Sequence, residues 1–299
     1  NRVDGAKSAI NSWEMGLSGT LTFPQLLFPG MMKKDGLYPS STSFRLYVDQ
    51  LNRARFFKML AFGGSASYDY QSSATSHHSI TPFKLTYNLL QSTTHEFDSI
   101  TKDNKALKLS LENQFVPAMG YTYTYDDAPI TTRRNHTWFQ LAVSQAGNLL
   151  GAGYAIVGKK FNEEGKHLLG NKFAQFVKGT AEIRYDYKIG HNQHLVGRMM
   201  AGAVYSYGNA RVAPYSEQFY IGGANSLRAF TIRSIGPGRY LPEKTTYSYL
   251  DQTGDLKFEA NLEYRFPILG DLHGAAFVDA GNIWLIREDK QRPVGQLKC

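Results

Sequence analysis

Polar and apolar residues alternate along most of this chain with the period of two that a β-strand gives to its two faces. Residues 178–189 place charged or polar side chains at even positions and mostly apolar ones at odd positions. Residues 255–266 repeat the pattern, with Glu263 on the polar face and Leu262 on the apolar face. The pattern predicts eleven strands, at roughly 12–23, 42–51, 57–70, 80–91, 106–115, 119–126, 136–147, 177–189, 194–207, 255–266 and 273–284.

The predicted strands are long for a soluble sheet. Several reach ten or more residues, whereas soluble strands usually have about five or six and a tilted membrane strand needs about 9–11. The 19 Tyr and 18 Phe residues gather near strand ends, as in the aromatic girdles of outer-membrane barrels. We therefore expect an all-β, transmembrane antiparallel β-barrel with its charged rows facing the lumen and with Ile183, Tyr185, Leu262 and Tyr264 facing lipid. A soluble all-β binding domain is an alternative.

The connections between the predicted strands are unequal in length. Short turns such as 190–193 alternate with long loops such as 148–176 and 208–254, which is typical of the periplasmic and extracellular sides of a barrel. No helix of consequence is predicted. The chain also lacks any run of 18 consecutive apolar residues, which a transmembrane helix would need. The net charge is +8, but acidic residues are interspersed with the basic ones, so we predict no nucleic-acid partner.

The segment 214–238 is the most informative part of the chain. It is irregular and glycine-rich, yet it carries two arginines and several large apolar side chains: Phe219, Tyr220, Ile221, Leu227, Phe230 and Ile232. A loop of this composition needs a partner that buries the apolar groups and pairs the guanidinium groups. We expect residues 214–250 to fold into the barrel lumen, where protein and water surround an irregular backbone.

The stretch 220–230 resembles the sixth extracellular loop of the BamA/TamA superfamily of outer-membrane assembly factors, also called the bacterial surface antigen family. The loop signature of that family is Val-Arg-Gly-Phe/Tyr, and here it reads Leu227-Arg228-Ala229-Phe230. Phe277-Val278-Asp279-Ala280-Gly281 resembles the Phe-x-Asp-x-Gly motif of the family, and Glu263 stands where the family has an inward glutamate. In its details the chain is most similar to the TamA-like lipoproteins of the Bacteroidota.

The resemblance implies a place for the whole chain in a larger architecture. Residues 1–299 would be part of a sixteen-stranded barrel in the outer membrane of a Gram-negative cell, with nine strands before the long loop. The POTRA domains and the first and last strands would be absent. Arg228 would bridge Glu263 and Asp279 and so brace the loop against the wall. The expected brace residues are Arg228, Phe230, Gly222, Gly223, Glu263, Phe277, Asp279 and Gly281.

The resemblance also implies a function. The protein would insert or export client outer-membrane or surface proteins through a laterally opening barrel, in contact with outer-membrane lipids and with a periplasm-spanning TamB-like partner. A two-partner-secretion transporter and a porin-like channel are the alternatives. The chain carries no nucleophile elbow, phosphate-binding loop or zinc-binding helix motif, so we predict no enzymatic activity, no cofactor and no metal.

Overall fold

A computed structural model describes residues 13–27, 37–53, 57–95, 98, 111–129, 135–168, 170–241, 252–290 and 292–297 of this chain. Their main element is one ten-stranded antiparallel sheet in the order β1-β2-β3-β4-β5-β6-β9-β10-β11-β12. Its strands are β1 (Trp13–Phe23), β2 (Ser40–Arg53), β3 (Phe57–Gln71), β4 (Ser76–Thr93), β5 (Gln114–Asp126), β6 (Asn135–Ala146), β9 (Phe176–Gly190), β10 (Gln193–Ser206), β11 (Leu256–Leu269) and β12 (Leu272–Trp284). Between β6 and β9 lie a helix, α1 (Asn148–Ile156), and a small ribbon, β7 (His167–Leu168) and β8 (Asn171–Lys172).

The alternation in the sequence separates the two faces of this sheet. On the outer face, Ile183 and Leu262 remain 43% and 50% exposed, whereas Glu259 on the opposite face is fully buried. The sheet therefore has the arrangement of a membrane barrel, in which an apolar surface faces outward and a polar surface faces the lumen. The predicted all-β barrel fold is confirmed.

Two alanines of β12 provide a test of the two faces. Ala275 lines an inner cavity of about 470 Å³ together with Glu263 and Arg265, and Ala280 lies on the outer face. In the membrane we expect Ala275→Cys to react with a membrane-impermeant thiol reagent and Ala280→Cys to be protected, because lipid excludes the reagent. The extent of labelling is read by mass spectrometry in a background without Cys299. Preferential labelling at position 280 would reverse the assignment.

One predicted strand boundary is wrong. The sequence predicts separate strands at 106–115 and 119–126, but β5 runs without a break through Pro117. A proline is tolerated there because pairing with β6 begins only at Ala118. No residue of β6 therefore has to accept a hydrogen bond from the backbone N–H that Pro117 lacks. Residues 106–110 lie outside the described part of the chain. Among the described residues, eight strands of the main sheet (β1–β6, β9 and β10) precede the long loop, rather than the nine expected.

The expectation of no consequential helix is also wrong. The connection between β6 and β9 contains α1, a helix of nine residues that begins just after Gly147, whose φ is 72°. After Asn148 its sequence carries no charged residue, is mostly apolar and contains two glycines, Gly151 and Gly153, so it lacks the amphipathic period by which surface helices are recognised. In the described part of the chain no helix is long and apolar enough to cross a membrane.

The described residues of the long connection between β10 and β11, 207–241 and 252–255, cross the inner side of the sheet. Residues 242–250 of the predicted lumen loop lie outside the described part of the chain. Its Phe219, Ile221 and Leu227 belong to an apolar cluster with inward residues of five strands: Val116, Ala146, Phe176, Val204 and Ile283. Toward the other side, the Tyr215 ring packs edge-on against Phe57 of β3, with ring centroids 5.8 Å apart. The loop therefore contacts opposite walls of the sheet at once.

Candidate functional site

The candidate site is built where the long loop meets β11 and β12. Because inward side chains recur at every second residue, β11 presents Glu259, Asn261 and Glu263 in one row. Antiparallel pairing sets Asn261 opposite Asp279 of β12. A band of three acidic groups and one amide thus lies on the inner wall before the loop adds any residue.

A tight turn in the loop approaches this band. The N–H of Gly223 donates to the Phe230 carbonyl at 2.9 Å, and the N–H of Arg233 donates to the Ile221 carbonyl at 3.0 Å, so the backbone folds back on itself. Gly222 has a φ of 99°, and a Cβ there would lie 2.2 Å from the Thr231 carbonyl oxygen. Glycine is therefore required at position 222 for both conformation and space.

Ala229 occupies a position that favours glycine. Its φ is 75°, in the left-handed region that an alanine adopts at a cost of about 1–2 kcal/mol. The turn is therefore present despite the replacement of the glycine found in the family signature. The strain is local, because Arg228 and Leu227 beside it have well-defined partners on the wall.

Replacing Ala229 with glycine should relieve this strain. A glycine also makes the unfolded chain more flexible, at a cost of about 0.4–1 kcal/mol, so we expect Ala229→Gly to stabilise the protein by roughly 0.5 kcal/mol. Ala224→Gly, in the same loop but without a positive φ, should destabilise it instead. Midpoints of denaturant unfolding would distinguish the two, and equal losses of stability would show that position 229 is unstrained.

Arg228 is the centre of the site. Its backbone N–H and its Nε donate to Oδ2 of Asp279 at 3.0 Å and 2.8 Å, and its Nη2 donates to Oδ1 at 2.7 Å. Its Nη1 donates to Glu263, and its guanidinium carbon lies 3.6 Å from the centre of the Phe277 ring. The two carboxylates, Asp279 foremost, hold the pKa of the guanidinium above its ordinary value. A planar guanidinium can donate to two carboxylates in this way, whereas the ammonium of a lysine cannot.

The remaining predicted brace residues differ in what they contact. Gly281 leaves space for the loop, because a Cβ there would lie 3.1 Å from a methyl group of Leu227 and 2.7 Å from the Phe258 carbonyl oxygen. Phe230 lies beside the turn but stays 53% exposed. The expectation that the apolar loop residues would be buried therefore holds for only part of the loop. An irregular loop packs only one of its sides on the wall. Three of its apolar side chains are therefore buried, namely Phe219, Ile221 and Leu227. The other three are about half exposed, namely Tyr220, Phe230 and Ile232.

A second ionic cluster next to Arg228 was not predicted. It centres on Glu259, whose carboxylate accepts hydrogen bonds from Arg198 of β10, from Lys257 at 2.9 Å and from the Ser226 hydroxyl at 2.6 Å. Asn261 joins the two clusters, since its amide donates to the Ser226 carbonyl and to Asp279, each at 2.9 Å. The sequence contained only one sign of this cluster, namely that Glu259 lies in the same polar row as Glu263.

Among the described residues, one trio of side chains could provide ligands for a metal ion. Nε2 of His136 lies 2.8 Å from Oδ1 of Asp126 and 3.8 Å from Oδ1 of Asp127, at the β5–β6 hairpin. Both aspartate oxygens also accept backbone N–H groups, from Ala128 and Thr137 at 2.9 Å each. These bonds account for the geometry as a hydrogen-bonded turn.

Comparison with known proteins places the chain among outer-membrane barrels. The sequence matches the Omp85 superfamily domain over residues 29–294. It is 38% identical, over 121 residues, to the outer membrane protein assembly factor BamA of Nitratidesulfovibrio vulgaris (Hildenborough strain), a match that covers 40% of this chain and 14% of that protein. The fold is similar to the crystal structure of BamA from Haemophilus ducreyi lacking POTRA domains 1–3, with a TM-score of 0.63, 14% identity, and coverage of 91% of this chain and 50% of that one.

Proposed function

This chain belongs to the Omp85 superfamily, and from that premise we propose that it is the barrel part of an outer-membrane factor that inserts or exports client proteins. Members of the family reside in the outer membrane, which agrees with the outward apolar face of the sheet. The chain spans about half of the BamA structure it resembles and 14% of the length of its curated relative. The activity proposed here is that of the intact protein.

The observation that carries the proposal is the fork of Arg228 between Asp279 and Glu263. It holds a long loop on the inner wall, so β11, β12 and the loop form one stiff unit. An assembly factor needs such a unit, because part of its wall must stay fixed while a seam elsewhere opens. The apolar cluster of loop residues inside the barrel narrows the lumen, which favours an assembly factor over an open channel.

The opening seam would act through backbone chemistry. An open barrel edge presents unpaired N–H and C=O groups, which cost several kcal/mol each in hydrocarbon. A client strand that adds to this edge satisfies those groups and is templated as a β-strand. This process requires no nucleotide, metal or catalytic residue. The partners we propose are outer-membrane lipids, unfolded client proteins and a periplasm-spanning TamB-like protein.

Reconstitution tests the proposal. The intact protein in phospholipid vesicles should accelerate the folding of a small, urea-unfolded outer-membrane barrel, read as the heat-modifiable band in gel electrophoresis. Arg228→Ala should lower the rate, and Arg211→Ala, which affects an exposed ion pair with Glu164, should not. Rates equal to those in empty vesicles would refute the assembly function. If the same vesicles also admitted sucrose freely, the porin-like channel would replace it.

A further inference from the structure

Helix α1 is chemically unusual for a helix at a protein surface. It contains no charged residue, and Leu149 and Ile156 are 67% and 88% exposed, as is 81% of Val157 just after it. A helix in contact with water normally presents a polar face, and one that is apolar all round is normally buried in protein or lipid. The exposed side of α1 therefore has the composition of a surface that contacts an apolar phase rather than water.

The other side of α1 is fixed to the protein. Gly151 is buried, and a Cβ there would lie 2.9 Å from the Gln175 side chain and 3.1 Å from the Phe161 ring. The Tyr154 hydroxyl donates to the His167 carbonyl at 2.6 Å. These contacts hold the helix in one orientation and leave Leu149, Ile156 and Val157 on the uncovered side.

The helix begins at the outer rim of the sheet. The Tyr207 hydroxyl donates to Oδ1 of Asn148 at 2.7 Å, and the Tyr207 ring stacks on Tyr205 with centroids 6.0 Å apart. Tyr205 belongs to the outward row of β10 and is 49% exposed, as an aromatic residue at a membrane interface would be. Val143 of β6, only a few residues before α1, is also outward and 46% exposed. The apolar outer face of the sheet thus continues onto the helix.

We propose that α1 is an interfacial anchor that lies in the outer leaflet of the membrane, with Leu149, Ile156 and Val157 among the acyl chains. The inference rests on the proposed membrane barrel, whose outer surface it extends. Lys159 and Lys160 follow the helix, and both are exposed. Cations at that position suit the anionic headgroups of a membrane surface and also complement the carbonyl end of the helix. The occupant of the uncovered face is therefore lipid.

A depth-dependent quenching experiment tests this placement in the intact protein. Single cysteines at Ile156, Leu262 and Asn162, in a background without Cys299, carry an environment-sensitive fluorophore in vesicles of phosphatidylcholine and phosphatidylglycerol. Lipids with a nitroxide near the headgroup end of the acyl chain should quench the probe at Ile156 about threefold more strongly than the probe at the exposed, polar position 162. A soluble quencher should show the reverse order.

The probe at Leu262 on strand β11 distinguishes failure of the proposed anchor from failure of the proposed membrane barrel. Quenching at positions 262 and 156 supports the anchor. Quenching at 262 but not at 156, with position 156 open to the soluble quencher, would overturn the anchor and leave the barrel intact. Protection of position 156 from both quenchers would also overturn it, since protein rather than lipid would then cover the helix. No quenching at 262, either by this lipid or by one with its nitroxide near the end of the acyl chain, would refute the membrane placement of the barrel itself.

Discussion

Arg228→Ala should destabilise the barrel by up to about 3–5 kcal/mol, the cost of removing one partner from a fully buried ion pair, and by less because water reaches the Arg228 side chain, which is 24% exposed. The Asp279 and Glu263 side chains are 6% and 17% exposed, so the substitution leaves two neighbouring carboxylates with little access to water. Glu263 would keep only Arg265 and Asp279 only Asn261 as side-chain partners, and the turn would lose its anchor on the wall. The measurement is the temperature or denaturant concentration at which the folded, heat-modifiable form is lost.

Two further variants identify the cause of that loss. Arg228→Lys keeps the charge but cannot bond both acids in one plane, so it should recover only part of the stability. Arg211→Ala removes an arginine whose side chain is 73% exposed, and it should cost less than about 1 kcal/mol. Full recovery by lysine would mean that charge alone, and not the forked geometry, holds the loop.

Glu259→Ala should have an effect of similar size, about 3–5 kcal/mol. The Glu259 side chain is fully buried. Without it Lys257 loses its ion pair, Arg198 keeps only Glu182 as an acidic partner, and the Ser226 hydroxyl loses its acceptor. The loop turn should then detach next to Arg228. Limited proteolysis of the long loop, together with the unfolding midpoint, would report the change.

A matched control for Glu259→Ala exists in the same chain. Glu112 forms an exposed ion pair with Lys172, with side chains 37% and 50% exposed, so Glu112→Ala should change stability by less than about 1 kcal/mol. Glu259→Gln should lie between the two, because an amide of equal size still accepts a hydrogen bond from Ser226. Equal stability of Glu259→Ala and Glu112→Ala would show that the buried cluster contributes nothing to anchoring the loop.

The alternation in the sequence was sufficient to predict most of the strands and to place Glu263 and Asp279 on the face that the long loop meets. A period of two determines which side chains share a face, so Glu263 and Asp279 could be assigned to the inner wall before any coordinates. The order of three short motifs, at 227–230, around Glu263 and at 277–281, then indicated that Arg228 would contact these acids. Strand ends were less predictable at Pro117, because whether a proline ends a strand depends on which neighbour needs its N–H.

The Glu259 cluster could not be predicted because it depends on pairing between strands. Arg198 and Glu259 are separated by the entire long loop, and only the register that sets Arg198 opposite Asn261 brings them together. The alternation of a single sequence excludes a slip of one residue but allows a slip of two, which keeps every side chain on its face. Helix α1 was missed for a different reason, since an apolar stretch with glycines has no helical period to recognise.

The contact between Tyr215 and Phe57 has a consequence for how the barrel deforms. The same loop holds β3 through this apolar ring contact and β12 through the ion pairs of Arg228. The loop therefore links these two strands across the inner side of the sheet. We expect a widening of the barrel to break the ring contact first, because an apolar ring pair is weaker than the ion pairs of Arg228. The loop would then move together with β11 and β12 while β3 moves away from them.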